Sequence, residues 1–97
     1  MILINLKDEY EVNHRVKILR EWLNLTRDEF SKKTSIGSTQ LANIEQKKQK
    51  AYAWHIQAIG KEWPQYAYWL VTGETIPEAG QISPELEETR KNLLKVG

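Results

Sequence analysis

The stretch LTRDEFSKKTSIGSTQLANIEQKK, residues 25–48, predicts two short helices joined by a tight turn. Thr26 is a favourable N-cap residue, and Glu29 follows three positions later, which is the spacing of a capping box. The first helix should therefore cover residues 27–34. Residues 35–37, Ser-Ile-Gly, form a poor helix interior and predict the turn.

The second helix should cover residues 38–46, with Leu41 and Ile44 facing inward at a spacing of three. Its outer face carries Ser38, Thr39, Gln40, Ala42 and Asn43. These side chains are short and uncharged, whereas a solvated helix face in a chain with 28% charged residues would normally carry Lys and Glu. A helix face that approaches base edges should be small and should offer hydrogen-bond donors and acceptors. The outer face therefore indicates contact with nucleic acid.

This stretch resembles the helix-turn-helix of the phage-repressor family of DNA-binding domains, the Cro and repressor type, also called XRE type. The family pattern is L-T-Q-x-E-L-A-x-x-x-G-V-S-x-x-x-I-S-x-I-E-x-G-K. The positions that match it directly are Leu25, Thr26, Glu29, Ile36, Ile44, Glu45 and Lys48. Ser35 and Lys47 stand where the pattern has glycine. The resemblance covers about residues 13–74 and implies an all-α fold, a five-helix lambda-repressor-like DNA-binding domain, to which this chain adds a C-terminal helix.

The resemblance also implies roles for particular residues, because the second helix of such a motif enters the major groove with its N-terminal residues against the bases. Base readout is expected from Ser38, Thr39 and Asn43. Arg27 is a further candidate, which suits either a guanine edge or a phosphate contact. Contacts to the DNA backbone are expected from Gln40, Lys47, Lys48 and Lys50. A structural ion pair is expected between Arg20 and Glu45. For each of these residues taken singly, ordinary polar surface is the alternative interpretation.

The distribution of charge agrees with this placement. Residues 25–50 contain six basic and three acidic side chains, whereas residues 74–97 contain three basic and five acidic ones. The positive excess coincides with the candidate reading helix, as a phosphate-facing surface requires. Ordinary mixing of surface charges would give a difference of the same size, so charge alone does not decide between the two.

Helices are also predicted before and after the motif. Residues 11–24 have a regular apolar face, and a helix over residues 51–62 should bury an apolar face as well. The first face comprises Val12, Val16, Leu19 and Leu23. The second comprises Tyr52, Ile56, Ile59 and Trp63. His55 is expected beside this second face, partly buried or at the surface, and no chemistry is assigned to it.

Pro64 is suited to the first position of a fifth helix, and Gly73 to the left-handed residue that ends it. Residues 75–83 predict a polar linker, after which Ser83 should cap a last helix with a thin apolar edge. In relatives that bind as dimers, the fifth helix and the following segment often form the subunit contact. The candidates for such a contact here are Tyr66, Tyr68, Leu93 and Leu94.

These patterns divide the chain into three parts. Residues 1–10 form an N-terminal arm or short strand, residues 11–74 the helix-turn-helix domain, and residues 75–97 the linker and C-terminal helix. The absence of cysteine excludes disulfides and thiolate metal sites, and the two histidines lack a metal-ligand spacing. No cofactor or metal is therefore expected.

An enzyme is not expected, because the sequence has no pattern of paired carboxylates, no Gly-rich phosphate loop and no supported Ser/His/Asp order. A cytoplasmic location without membrane insertion is expected, because no apolar run reaches the length of a span and no signal peptide is recognisable. The leading hypothesis is a sequence-specific transcriptional repressor of phage or mobile-element type, which binds an inverted-repeat operator in double-stranded DNA as a homodimer. The alternative is an antitoxin or other protein-binding module whose chain ends, including the C-terminal tail, bind a partner protein.

Overall fold

The computed structural model describes residues 9–95, in which six α-helices are present. They are α1 (Glu11–Trp22), α2 (Arg27–Thr34), α3 (Ser38–Glu45), α4 (Ala53–Glu62), α5 (Ala67–Thr72) and α6 (Pro84–Lys95). The predicted all-α class is confirmed. None of the helices within residues 9–95 is long and apolar enough to cross a membrane. The predicted arm or strand at residues 1–10 lies outside the described residues except for its last two positions.

One apolar core holds the first five helices together. Its buried side chains are Val16, Leu19, Phe30, Ile36, Leu41, Ile44, Ile59, Tyr66, Trp69 and Leu70. Helix α1 packs on α3 and α5, while α2 packs on α3 and α4. The rings of Phe30 and Trp63 stack with their centroids 4.9 Å apart, which fixes α2 against the end of α4. The two motif helices are thus fixed on a framework of the other three.

Helix α4 buries a different face from the predicted one. Tyr52 is 57% exposed, so its assignment to the core is wrong, and His55 is fully buried rather than peripheral. The reason is that α4 begins at Ala53, so Tyr52 is the N-cap residue with an extended backbone and lies outside the helical repeat. The backbone N–H of Tyr52 donates to Nδ1 of His55 at 2.8 Å, and burial lowers the pKa of this imidazole.

The predicted fifth helix begins as a 3₁₀ turn, Pro64–Tyr66, and becomes α-helical only at Ala67. Gly73 ends it in the left-handed region with a φ of 80°, as the sequence predicts. Arg15 of α1 covers this end, because its Nε donates to the carbonyl of Leu70 at 2.9 Å and its Nη2 to that of Val71 at 3.2 Å. A cation at a helix C-terminus satisfies free carbonyls and opposes the helix dipole.

The segment predicted as a polar linker is tied to the rest of the protein by hydrogen bonds. Ile76 and Gln81 form an antiparallel bridge around a 3₁₀ turn, Pro77–Ala79. The Gln81 side chain accepts from the N–H of Tyr68 and donates to the carbonyl of Pro64. The segment between α5 and α6 is therefore held against the 3₁₀ turn at Pro64 and the first turn of α5.

A polar contact fastens α6 to the core. Ser83 caps α6 by accepting the N–H of Leu86 at 3.1 Å. The Trp22 Nε1–H donates to the Tyr66 hydroxyl at 3.0 Å, and that hydroxyl donates to the Glu87 carboxylate. Burial together with the Glu87 carboxylate raises the pKa of Tyr66 to about 12.

Ser35 and Lys47, which occupy the two glycine positions of the family pattern, both have left-handed backbones. Their φ values are 66° and 62°, and Asn24 has a φ of 59° just after α1, which ends at Trp22 rather than at the predicted residue 24. Glycine adopts this conformation without steric strain, whereas other L-residues are disfavoured there by about 1–2 kcal/mol. The backbone at these two positions is therefore of the kind that glycine favours, although neither residue is glycine.

We expect Ser35→Gly to stabilise the protein. The release of left-handed strain exceeds the extra chain entropy of glycine, so the free energy of unfolding should rise by about 0.5–1 kcal/mol. Thermal unfolding followed by circular dichroism measures the change. Ser31→Gly is the matched control, because the same exchange inside α2 should destabilise by about 0.5–1 kcal/mol. Equal destabilisation by both variants would contradict the strain argument.

Candidate nucleic-acid interface

The motif helices are fixed locally by their capping groups and their turn. At the start of α2, Thr26 Oγ1 accepts the N–H of Glu29 at 3.1 Å, and the Glu29 carboxylate accepts the N–H of Thr26 at 2.8 Å. The predicted capping box is therefore present. In the turn, the buried Thr34 hydroxyl donates to the carbonyl of Phe30 and accepts the N–H of Ile36. These bonds fix the direction in which the chain enters α3.

A buried carboxylate determines how α3 is held. The Glu45 side chain is only 1% exposed and lies between two guanidinium groups. Arg20 donates Nε to Oε2 at 2.6 Å and Nη2 to Oε1 at 2.9 Å, while Arg27 donates Nε to Oε1 at 3.2 Å. The hydrogen bond to Glu45 is the main cause that raises the pKa of Arg20. The structure thus places Arg20 and Glu45, the expected ion pair, in a bidentate contact.

The third nitrogen of Arg20 extends this arrangement to the chain before α2. Its Nη1 donates to the carbonyl of Leu25 at 2.9 Å. One side chain of α1 therefore contacts both the C-terminal end of α3 and the residue before the N-cap of α2. The angle at which α3 is presented depends on this contact, because a buried charge that loses its partner is strongly destabilising.

A buried asparagine adds a second connection at the same end of α3. Asn13 is 1% exposed, and its Nδ2 donates to the carbonyls of Ile44 and Gln49 at 2.9 and 2.7 Å. Its Oδ1 accepts the N–H of Ala51 at 3.4 Å. Asn13 therefore connects α1 to the last turn of α3 and to the end of the loop that follows it. Sequence reasoning missed it, although a polar residue three positions before Val16, on the buried side of α1, was the available signal.

The candidate base-contacting residues lie on the outer side of α3. Thr39 is exposed, while Ser38 and Asn43 are half-buried in the free protein. The Ser38 hydroxyl donates to Oδ1 of Asp28 at 2.5 Å and so joins the first turns of α3 and α2. Arg27, the other candidate, has a 40% exposed side chain whose Nε is directed to Glu45.

The candidate backbone-contacting residues lie beside this face. Lys47, Lys48 and Lys50 are exposed in the loop after α3, and Gln40 is half-buried on α3 itself. Lys50 differs from the other two lysines because its Nζ pairs with the Glu9 carboxylate at 3.3 Å. Lys47 and Lys48 are therefore the stronger candidates for contact with phosphate.

The dimer candidates divide into buried and exposed residues. Tyr66 is only 3% exposed, and its hydroxyl is engaged by Trp22 and Glu87. The prediction that Tyr66 forms a subunit contact is therefore wrong, because its side chain is part of the core. Tyr68, Leu93 and Leu94 are 36%, 68% and 83% exposed.

The two arginines around Glu45 should differ in their effect on stability. Arg20→Met should lower the free energy of unfolding by about 2–4 kcal/mol, because a buried carboxylate loses its bidentate partner. Arg27→Met, the matched control, should lower it by less than about 1 kcal/mol, since that pair is partly solvated. Urea unfolding of both variants measures the difference. Equal effects would show that Arg20 does not dominate the contact.

Comparison with known proteins finds a similar solved structure but no matching family model. No family model matches the chain, and no curated protein matches it. Among solved structures, it is similar to Pf6r from the filamentous phage Pf6 of Pseudomonas aeruginosa PA01, with a TM-score of 0.73 and 26% sequence identity. The matched region covers 86% of this chain and 96% of Pf6r. The fold is therefore one that also occurs in a phage protein.

Proposed function

We propose that this protein is a sequence-specific regulator of transcription, a repressor of phage or mobile-element type, that binds double-stranded DNA. It acts by binding rather than by catalysis, in the cytoplasm, where its operator is accessible. Two copies bind as a homodimer, with their α3 helices about 34 Å apart in successive turns of one duplex face. The operator is then an inverted repeat.

The observation that carries this proposal is the contrast between the two sides of α3. The inner side ends in Glu45, which two arginines hold, and the outer side presents only uncharged groups. A helix that reads bases needs this combination, since base readout requires short polar groups held on a rigid support. The exposed Lys47 and Lys48 beside it provide the positive charge that phosphates attract. The likeness to a phage protein agrees with the proposed setting.

Individual roles follow from side-chain chemistry. The Asn43 amide can bond an adenine edge through both its groups, and the Thr39 methyl can contact a thymine methyl. Arg27 uses its remaining guanidinium nitrogens on a phosphate or on guanine, while Nε stays on Glu45. Lys47, Lys48 and Gln40 contact the backbone. Lys50 contributes only if its exposed pair with Glu9 opens.

Selection of bound duplexes from a random DNA pool, with the full-length protein at moderate salt, tests the proposal. An enriched inverted repeat with half-sites about one helical turn apart is the expected result. Weak, salt-sensitive binding without enrichment would reject sequence-specific regulation by this chain.

Base-contacting and phosphate-contacting side chains should respond differently to truncation. Asn43→Ala should lower discrimination by about 1–3 kcal/mol at one position of each half-site, because a bidentate base contact is lost. Lys48→Ala should weaken all duplexes alike and reduce the salt slope by about one, because one phosphate contact is lost. Fluorescence anisotropy titrations at several salt concentrations measure both effects. A change of sequence preference in Lys48→Ala would contradict its assignment.

A second candidate function is binding of another protein through the C-terminal helix. The observation that favours it is the exposure of Leu93 and Leu94, two leucines at 68% and 83% on one end of α6. Exposed apolar side chains that lie next to one another are a feature of protein contact sites. The partner is either a second copy, as the main proposal requires, or a different protein, as in an antitoxin.

Replacement of both leucines distinguishes these partners. The variant Leu93→Gln with Leu94→Gln should keep its helical content by circular dichroism, because both side chains are exposed in the single chain. If α6 forms the dimer contact, sedimentation equilibrium should show a shift from dimer to monomer, with weaker binding to the inverted repeat. If dimerisation and DNA binding are unchanged, α6 is not the subunit contact and the second candidate gains support.

A further inference from the structure

An acidic side chain lies next to the residues proposed to read the bases. Asp28 occupies the first turn of α2 and is exposed. Its Oδ1 accepts a hydrogen bond from the Ser38 hydroxyl at 2.5 Å, and Ser38 is the first residue of α3. A carboxylate on a DNA-facing surface repels phosphates, so its presence beside a reading residue needs a reason.

The hydrogen bond decides what Ser38 can offer to a ligand. An ionised carboxylate can only accept hydrogen bonds, whereas a serine hydroxyl has one proton and two lone pairs. The contact between Asp28 and Ser38 therefore uses the serine proton. What remains is a pair that only accepts: the lone pairs of Ser38 Oγ and the second oxygen of Asp28.

We infer that Asp28 and Ser38 together recognise the amino group of a cytosine in the major groove, an inference that rests on the proposed function. Cytosine presents only its N4 donor there, which fits a pair of acceptors. Guanine presents O6 and N7, thymine presents O4, and adenine places an acceptor beside its donor. The pair therefore selects cytosine and disfavours the other three bases.

The negative charge of Asp28 has a second consequence for binding. It weakens contact with any duplex that lacks the cytosine, since the carboxylate then loses water without gaining a donor. Lys47 and Lys48 supply attraction that does not depend on sequence, and Asp28 offsets part of it. Asp28 thus increases the difference in affinity between the cytosine-containing site and unrelated DNA, because it weakens binding to unrelated DNA.

The test repeats the duplex selection with the full-length wild type and three variants. Asp28→Asn places an amide at the same position, so it can donate to guanine O6 or N7 as well as accept. Ser38→Ala removes the hydroxyl but leaves the carboxylate. Glu62→Gln, at an exposed position of α4, is the control for loss of one negative charge away from α3.

The expected wild-type site contains a cytosine at one position of each half-site. Asp28→Asn should reduce the preference for cytosine over guanine at that position about tenfold, the size of one good base contact. Ser38→Ala should reduce the preference for cytosine without increasing the affinity for duplexes that carry guanine at that position. Glu62→Gln should leave the selected sequence unchanged.

Three results would overturn the inference while leaving the proposed function intact. They are a selected site without a cytosine common to both half-sites, an unchanged preference in Asp28→Asn, or tighter binding of Asp28→Asn to all duplexes alike with the sequence preference retained. Absence of any enriched site with wild-type protein would instead reject the proposed function, and this inference with it.

Discussion

The Glu45 carboxylate lies between the guanidinium groups of Arg20 and Arg27, and the geometry of the motif depends on this contact. Because Glu45 is buried, its charge must be compensated by groups that approach from fixed directions. Arg20 comes from α1 and Arg27 from the start of α2, so three elements meet at one carboxylate. The end of α3 cannot rotate or shift without breaking bonds to a buried charge, which keeps the opposite side of the helix in a constant position.

Backbone conformation supports the same arrangement at the two ends of α3. Ser35 and Lys47 have left-handed backbones before and after the helix. Each change of direction costs conformational energy, which the buried core and the Asn13 hydrogen bonds offset. Asn13 joins α1 to the last turn of α3 through the carbonyl of Ile44 and to the following loop through the carbonyl of Gln49. The core and these hydrogen bonds thus hold α3 and the loop after it, which carries Lys47 and Lys48, in one relative orientation.

The C-terminal helix is attached by a different kind of contact. Tyr66 links Trp22 of α1 to Glu87 of α6, and Lys91 lies over the Trp22 ring at 5.0 Å. These are polar and cation–π contacts at the edge of the core, whereas the far end of α6 leaves Leu93 and Leu94 exposed. The helix is therefore held against α1 and the start of α5 along its first part, while its last turn carries two exposed leucines.

The sequence by itself determined the local features of this protein: the capping box at Thr26 and Glu29, the inward spacing of Leu41 and Ile44, and the glycine end of α5. Each of these depends on residues within about one helical turn, where helix geometry fixes the neighbours. The Arg20–Glu45 contact was expected from family resemblance, since nothing in the spacing of those residues indicates it.

Only the tertiary structure decided which distant groups meet. Asn13 bonds a carbonyl 31 positions away and Arg15 bonds one 55 positions away. Tyr66 is buried although the other two residues of its 3₁₀ turn are exposed. The pairing of Asp28 with Ser38 depends on how α2 and α3 cross. Helical periodicity identifies the face a helix buries but not the angle or register of its packing, which arise from the combined shapes of all the core side chains.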